Sequence, residues 1–191
     1  MAGLIAYNDS GIAQIDSEHR NLRFKASGSF TMNIGVQSLG YAAGAILAFA
    51  SSKPARVVYT SDGLASVTSL TTANVIDWWT FEVGTTAVFG SGIRIFNQAG
   101  EQVFDGADRL PKVVGFTQSL GGTYNTGAAR VACAMSPGTP QRIANGNQSN
   151  VYVQCTGGTV IAQLLADGPG GSTTFFANPC QLLMLDVAGL V

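Results

Sequence analysis

The chain has 191 residues, only 11% of them charged, and a formal net charge of −1. An ordinary globular domain is about 25% charged; with charge this scarce and no basic run, a nucleic-acid backbone is excluded as a partner. A chain of this length buries one sizeable core or two small ones. The lack of charge points either to a surface covered by other subunits or to a lone β-sandwich with a Ser/Thr surface.

The chain opens on Gly3-Leu4-Ile5-Ala6-Tyr7-Asn8-Asp9-Ser10-Gly11, followed by Ile12 to Asp16 and Arg20. Two β-rich runs flank Asn-x-x-Gly. Asn favours the first position of a type I turn, because its side chain bonds the backbone two residues on. Gly at the fourth position tolerates the left-handed conformation that a bulged hairpin needs. Residues 3–16 are therefore predicted to be a hairpin. There is no basic start, and Asp9 interrupts the apolar run, so a secretory signal is not expected. Ala26 to Ser52 carries no charge. Its first half is broken by Ser, Thr, Asn and Gly, and the apolar remainder is too short to span a bilayer as a helix; buried strands are predicted instead, with no membrane insertion. Phe30, Met32, Ile34 and Val36 alternate with polar residues and Gly over Ser29–Val36, a period-2 strand. Tyr41 to Ala50 fits a buried strand or a short helix.

Arg56–Thr60 and Leu64–Leu70 flank Ser61-Asp62-Gly63, a second hairpin signal. Val75 to Val83 is β-branched and aromatic and reads as a strand. On a strand, Trp78 and Trp79 point to opposite faces, one into the core and one against a neighbouring element or partner. Gly92-Ile93-Arg94-Ile95-Phe96-Asn97-Gln98-Ala99-Gly100-Glu101-Gln102-Val103-Phe104-Asp105 with Arg109 then repeats the opening pattern at an offset of 89 residues (3 to 92, 16 to 105). In both copies the Asp with Arg four residues on either ties down the next corner or is solvated. Val113 to Phe116 reads as a strand, Thr117 to Gly127 as a loop and Ala129 to Met135 as a strand. Arg142–Ala144 and Val151–Cys155 flank a longer hairpin loop. Val160 to Leu165 is a strand, Asp167 to Gly171 a flexible loop, and Gln181 to Val187 the closing strand.

Short segments, turn signals between them and the absence of a capped amphipathic helix predict an all-β protein, sandwich- or barrel-like. The recurrence of hairpin, Gly/Ser/Thr-rich stretch, second hairpin and apolar strand predicts two related modules, 1–90 and 91–191, from an internal duplication. The three cysteines, Cys133, Cys155 and Cys180, form no close pair. Their odd number predicts reduced, buried thiols rather than a disulfide framework or a zinc site.

Chemistry is sparse. His19 is the only histidine, and Asp108 stands at its counterpart in the second copy, so the position reads as a polar corner. There is no nucleophile elbow, phosphate loop, dinucleotide fingerprint or calcium loop. Asp77 and Glu82, flanking Trp78-Trp79, are the nearest approach to a glycosidase-like carboxylate pair. The sequence is thus read as a non-enzyme without a cofactor or metal. Trp78, Trp79, Tyr124 and Tyr152 are candidate binding residues that could stack on a sugar ring, with core packing as the competing reading. The sequons at Asn8 and Asn147 read as chance matches.

The hairpin residues 3–11 and 92–105, with the Trp-Trp strand upstream of the second, resemble a pattern in small virion proteins of tailed bacteriophages. There a Gly-led strand, Phe/Tyr-Asn, two residues, Gly and a strand ending in Phe-Asp recur near the distal tail. The resemblance implies a structural tail-tip or baseplate protein, assembled in the host cytoplasm and working by association with other tail proteins. A homo-oligomer is expected, a trimer being favoured. The rival expectations are a receptor- or carbohydrate-binding module of the tail, directed at a host surface glycan, and a capsid-decorating protein.

Overall fold

The computed structural model describes residues 5–7, 13–16, 22–40, 44–59, 64–83, 93–105, 109–119, 121–136, 141–142, 147–169 and 180–190. The first hairpin is β1 (Ile5–Tyr7) and β2 (Ala13–Asp16), and β3 (Leu22–Met32), β4 (Gly35–Gly40), β5 (Ile46–Ser51), β6 (Ala55–Tyr59), β7 (Leu64–Ser69) and β8 (Asn74–Val83) follow. The second hairpin is β9 (Arg94–Phe96) and β10 (Gln102–Asp105). The chain continues as β11 (Lys112–Ser119), β12 (Gly122–Asn125), β13 (Val131–Met135), β14 (Gln141–Arg142), β15 (Asn147–Thr156), β16 (Thr159–Pro169) and β17 (Cys180–Asp186).

The protein is all-β, a sandwich of two antiparallel sheets. The first sheet runs β11-β17-β13-β5-β8-β3; the second runs β12-β16-β15-β6-β7-β4, with β14 alongside β15. Each sheet takes strands from both halves of the chain. The halves meet where Cys133 on β13 lies opposite Phe49 on β5, and where Val153 on β15 lies opposite Ala55 on β6. Counted inward from the two edges, the first sheet presents β3, β8, β5 and β11, β17, β13. The second presents β4, β7, β6 and β12, β16, β15. Setting β14 aside, both halves therefore visit the two sheets in the same sequence.

The two hairpins share a register. Ile5, Ala6 and Tyr7 oppose Asp16, Ile15 and Ala13; Arg94, Ile95 and Phe96 oppose Asp105, Phe104 and Gln102. Both skip one residue at the same step, leaving Gln14 and Val103 as the bulged positions. A second bulge leaves Lys25 unpaired between β3 and β8, and a third leaves Val114 unpaired between β11 and β17. Lys25 and Val114 are again 89 residues apart, the offset of the two hairpins (25 to 114, 3 to 92).

The core lies between the sheets. Leu47, Phe49, Ile76 and Leu182 meet Val57, Val67, Val153 and Val160 there, all essentially buried. The Cys133 and Cys155 sulfurs approach to 3.8 Å across the gap, and the backbone N–H of Val57 points at the Met135 sulfur at 3.4 Å. The first sheet is buried on its other face too, where Ala48, Ala132, Trp79, Phe81 and Leu185 lie. Two-sided burial explains why β5 and β13 read as unbroken apolar runs instead of alternating. Part of the cover is the turn at 187–190, where the Trp79 indole N–H donates to the Leu190 carbonyl at 2.7 Å.

Of the stretch Tyr41 to Ala50, which fits a strand or a helix, the described residues hold a strand, β5. Other segments differ from expectation. The alternating run at 29–36 is two strands, because the chain turns at Asn33-Ile34 and enters β4 through Gly35 at φ +133°. Ile34 and Val36 are consequently exposed, not in the core. The Thr117–Gly127 loop holds the end of β11 and all of β12, an edge strand with little apolar content to announce it. Asp167 to Pro169 belongs to β16, paired through Pro169 opposite Asn147. Gly170 and Gly171, the module boundary at 90/91, His19, Phe175-Phe176 and the Asn8 turn lie outside the described residues.

Candidate functional site

The four aromatic candidates are dispersed. Trp78 and Trp79 take opposite faces of β8, as a strand requires. Trp78 shares the inter-sheet side with Phe49, its partner in register. It is half-buried, with its indole lying over Gly28 of β3. A β-carbon at Gly28 would come within 2.7 Å of that ring, so only glycine leaves room for it. Trp79 is 1% exposed, and the Arg130 guanidinium sits 4.8 Å from its ring centroid. Tyr152 is buried, with Arg56 5.8 Å from its ring centroid. Tyr124 is half-buried on β12, at one edge of the second sheet. Neither tryptophan forms an exposed platform for a sugar ring.

Asp77 and Glu82 do not converge either. They lie on opposite faces of β8, and each is an ion-pair partner. Asp77 accepts from Arg130 at 2.8 Å, while Glu82 lies 3.2 Å from Arg23 and 3.3 Å from Lys25. Two clefts flank the ends of β5. One, about 250 Å³, is apolar and lined by Ile46, Tyr59, Met135, Leu183 and the exposed Phe116. The other, about 220 Å³, is lined by Ser51, Asp77, Arg130 and Thr156. Among the described residues no group of three or more His, Cys, Asp or Glu could hold a metal ion. No helix among them is long and apolar enough to cross a membrane.

All three cysteines are free and buried. The neighbouring Cys155 thiol and burial push the Cys133 thiol well above the usual value of 9.0. A polar hub that the sequence does not announce is Asn74, fully buried. Its Oδ1 accepts from the Ser51 hydroxyl at 2.9 Å and the Lys53 N–H at 3.2 Å. Its Nδ2 donates to the Ser69 hydroxyl at 3.0 Å and the Lys53 carbonyl at 3.3 Å. The hub ties β5, the β5–β6 turn and β7 to β8 with every amide valence used.

The surface feature that remains is the set of sheet edges, and the two sheets treat theirs differently. An open edge is a template for another strand, and charge, bulges or covering loops normally blunt it. In the first sheet, edge strand β3 carries Lys25 at its bulge, pairs Arg23 and Lys25 with Glu82, and has its Phe24 N–H capped by the Arg109 carbonyl at 2.7 Å. Edge strand β11 begins at Lys112 and also bulges. In the second sheet, β4 (Gly-Val-Gln-Ser-Leu-Gly) and β12 (Gly-Thr-Tyr-Asn) have no charge, no proline and no bulge. No other described strand pairs with their outer sides. Ile34 and Val36, at 65% and 66% exposure, stand at the β4 edge.

Against known proteins, no protein-family model, curated protein or solved structure matches this chain.

Proposed function

We propose that this chain is a structural virion protein of a bacteriophage tail tip or baseplate, assembled in the host cytoplasm and acting by association with itself and with other tail proteins. The observation that carries the reading is the pair of uncharged edges on the second sheet that no other described strand covers, in a chain that blunts the edges of the first. Such edges are a liability on a solitary protein and an asset on an assembling one. The hairpin at 92–105, with the resemblance it carries, supplies the location, and the low charge of the whole chain agrees with a surface largely covered by neighbours. A trimer about the tail axis is the expected state.

An internal duplication belongs to the same reading. The common offset of hairpins and bulges and the mirrored strand order of both sheets are what two copies of one module, joined at β5–β13 and β6–β15, would produce.

The test is mass spectrometry of purified virions, followed by electron microscopy of particles labelled through a tag on this chain. The expected result is a virion component with label at the distal tail. Absence from virions would overturn the reading, and label over the head would replace it with capsid decoration.

A further inference from the structure

We propose that copies of this chain join head to tail through the second sheet, β4 of one copy pairing antiparallel with β12 of the next. The proposal rests on the assembly reading and specifies its contact. Its first ground is that the two large sheets have four edge strands, two of them blunted and two uncharged with no other described strand against them, and the latter two lie in the same sheet.

The second ground is direction. Every neighbouring pair in the second sheet is antiparallel. The two outermost of six alternating strands therefore run in opposite senses. A neighbouring copy need not be turned over for its β12 to meet β4 in antiparallel fashion; a shift along the sheet direction suffices. The junction continues the alternation and repeats, between molecules, the β6–β15 pairing that joins the halves within one molecule.

The third ground is facing. Leu39 opposes the buried Ala65, and Tyr124 opposes the buried Val160, so both point toward the inter-sheet side. Val36 and Ser38 on β4, and Thr123 and Asn125 on β12, take the outer side. Pairing in matched facing sets Leu39 and Gln37 beside Tyr124 within, and Val36 beside Thr123 without. A one-residue slip would reverse every side chain, so the facing admits only registers that differ by an even number of residues. Ile34 and Val36 lose their exposure, and no charge is desolvated. A contact between unlike patches closes into a ring when the rotation between copies allows it, and every copy then makes two junctions.

The test uses two single variants of the full chain, Val36→Lys and Thr123→Lys. Both positions are exposed and on the outer face, and each variant places a charge on one edge alone. Circular dichroism should show both folded, with spectra like that of the wild type; their melting points should lie at or below that of the assembled wild type. Sedimentation is expected to find the wild type assembled and each variant monomeric. An equimolar mixture should form a dimer and nothing larger, because one open β4 and one open β12 remain. A monomeric wild type, a Thr123→Lys variant that still self-associates (the signature of β4 pairing with β4), or a mixture that stays monomeric would each overturn the proposal. If virions contain the chain while the wild type is monomeric, this proposal fails and the assembly reading stands only as association with other tail proteins; absence from virions is the failure of that reading as a whole.

Discussion

Two residues show how much of the stability hangs on single side chains. Trp79 fills the outer face of the first sheet, donates to the Leu190 carbonyl and lies under the Arg130 guanidinium. Truncating a buried Trp removes transfer energy and leaves a cavity, at about 3–5 kcal/mol. Trp79→Ala is therefore expected to lower the urea midpoint by that equivalent; a loss under about 1 kcal/mol, the worth of one ordinary hydrogen bond, would contradict the buried placement. Cys133 tests the electrostatics of the core. Its thiol holds its proton more tightly in the folded than in the unfolded chain. Above the ordinary cysteine value the unfolded chain loses that proton first, so stability is complete below about pH 9 and declines as pH rises further. Unfolding curves from pH 7 to 10 should show this decline, and Cys133→Ala should flatten it while lowering stability at neutral pH. Denatured protein without reductant should titrate as three free thiols, since all three cysteines are unbridged.

The elements follow local rules wherever those rules have a clear mechanism. In the β9–β10 hairpin the Asn97 carbonyl accepts from the Gly100 N–H at 3.0 Å, and its side-chain Oδ1 accepts from the Glu101 N–H at 2.9 Å. Gly100 takes φ +78°, the left-handed turn position the Asn-x-x-Gly spacing implies. A β-carbon there has open space around it, so the cost of Gly100→Ala is conformational alone, about 1–2 kcal/mol. Thermal unfolding should show that loss, and a neutral or stabilising effect would count against the turn. The Asp closing this hairpin, Asp105, is buried and bonds back to Arg94 and Gln102, both at 3.1 Å. It thus staples its own hairpin, a role that neither sequence reading of the Asp–Arg pair included.

For the whole molecule, the decisive fact is that neither half completes a sheet. β5 and β13 are central in one sheet, β6 and β15 in the other, and each junction joins the two halves. A fragment holding residues 1–90 alone would leave β5 and β6 without the strands that flank them in the whole chain. If the halves are copies of one module, the fragment should replace its missing partner with itself, setting β5 against β5 and β6 against β6. It is expected to fold only as a homodimer by light scattering. A stable, folded monomer of 1–90 would argue that the halves are independent and that the mirrored strand order has another origin.

What the sequence by itself determined is what short-range chemistry encodes. Turn residues placed the hairpins at β1–β2, β6–β7 and β9–β10. β-branched and aromatic composition marked β8 as a strand, and the odd cysteine count indicated free thiols. The tertiary structure alone decided which strands are neighbours, because pairing across the chain is settled by shared burial and leaves no local mark. It decided that β5 is a strand, since burial on both faces erases the alternation that separates strand from helix. It revealed β12, whose Gly-Thr-Tyr-Asn has almost no apolar signal because an edge strand buries little. It broke the alternating run at Asn33, where a turn splits the expected single strand in two and leaves Ile34 and Val36 exposed. Which edges stay open is likewise a property of the sheet order, so the candidate interface became visible only once both sheets were assembled.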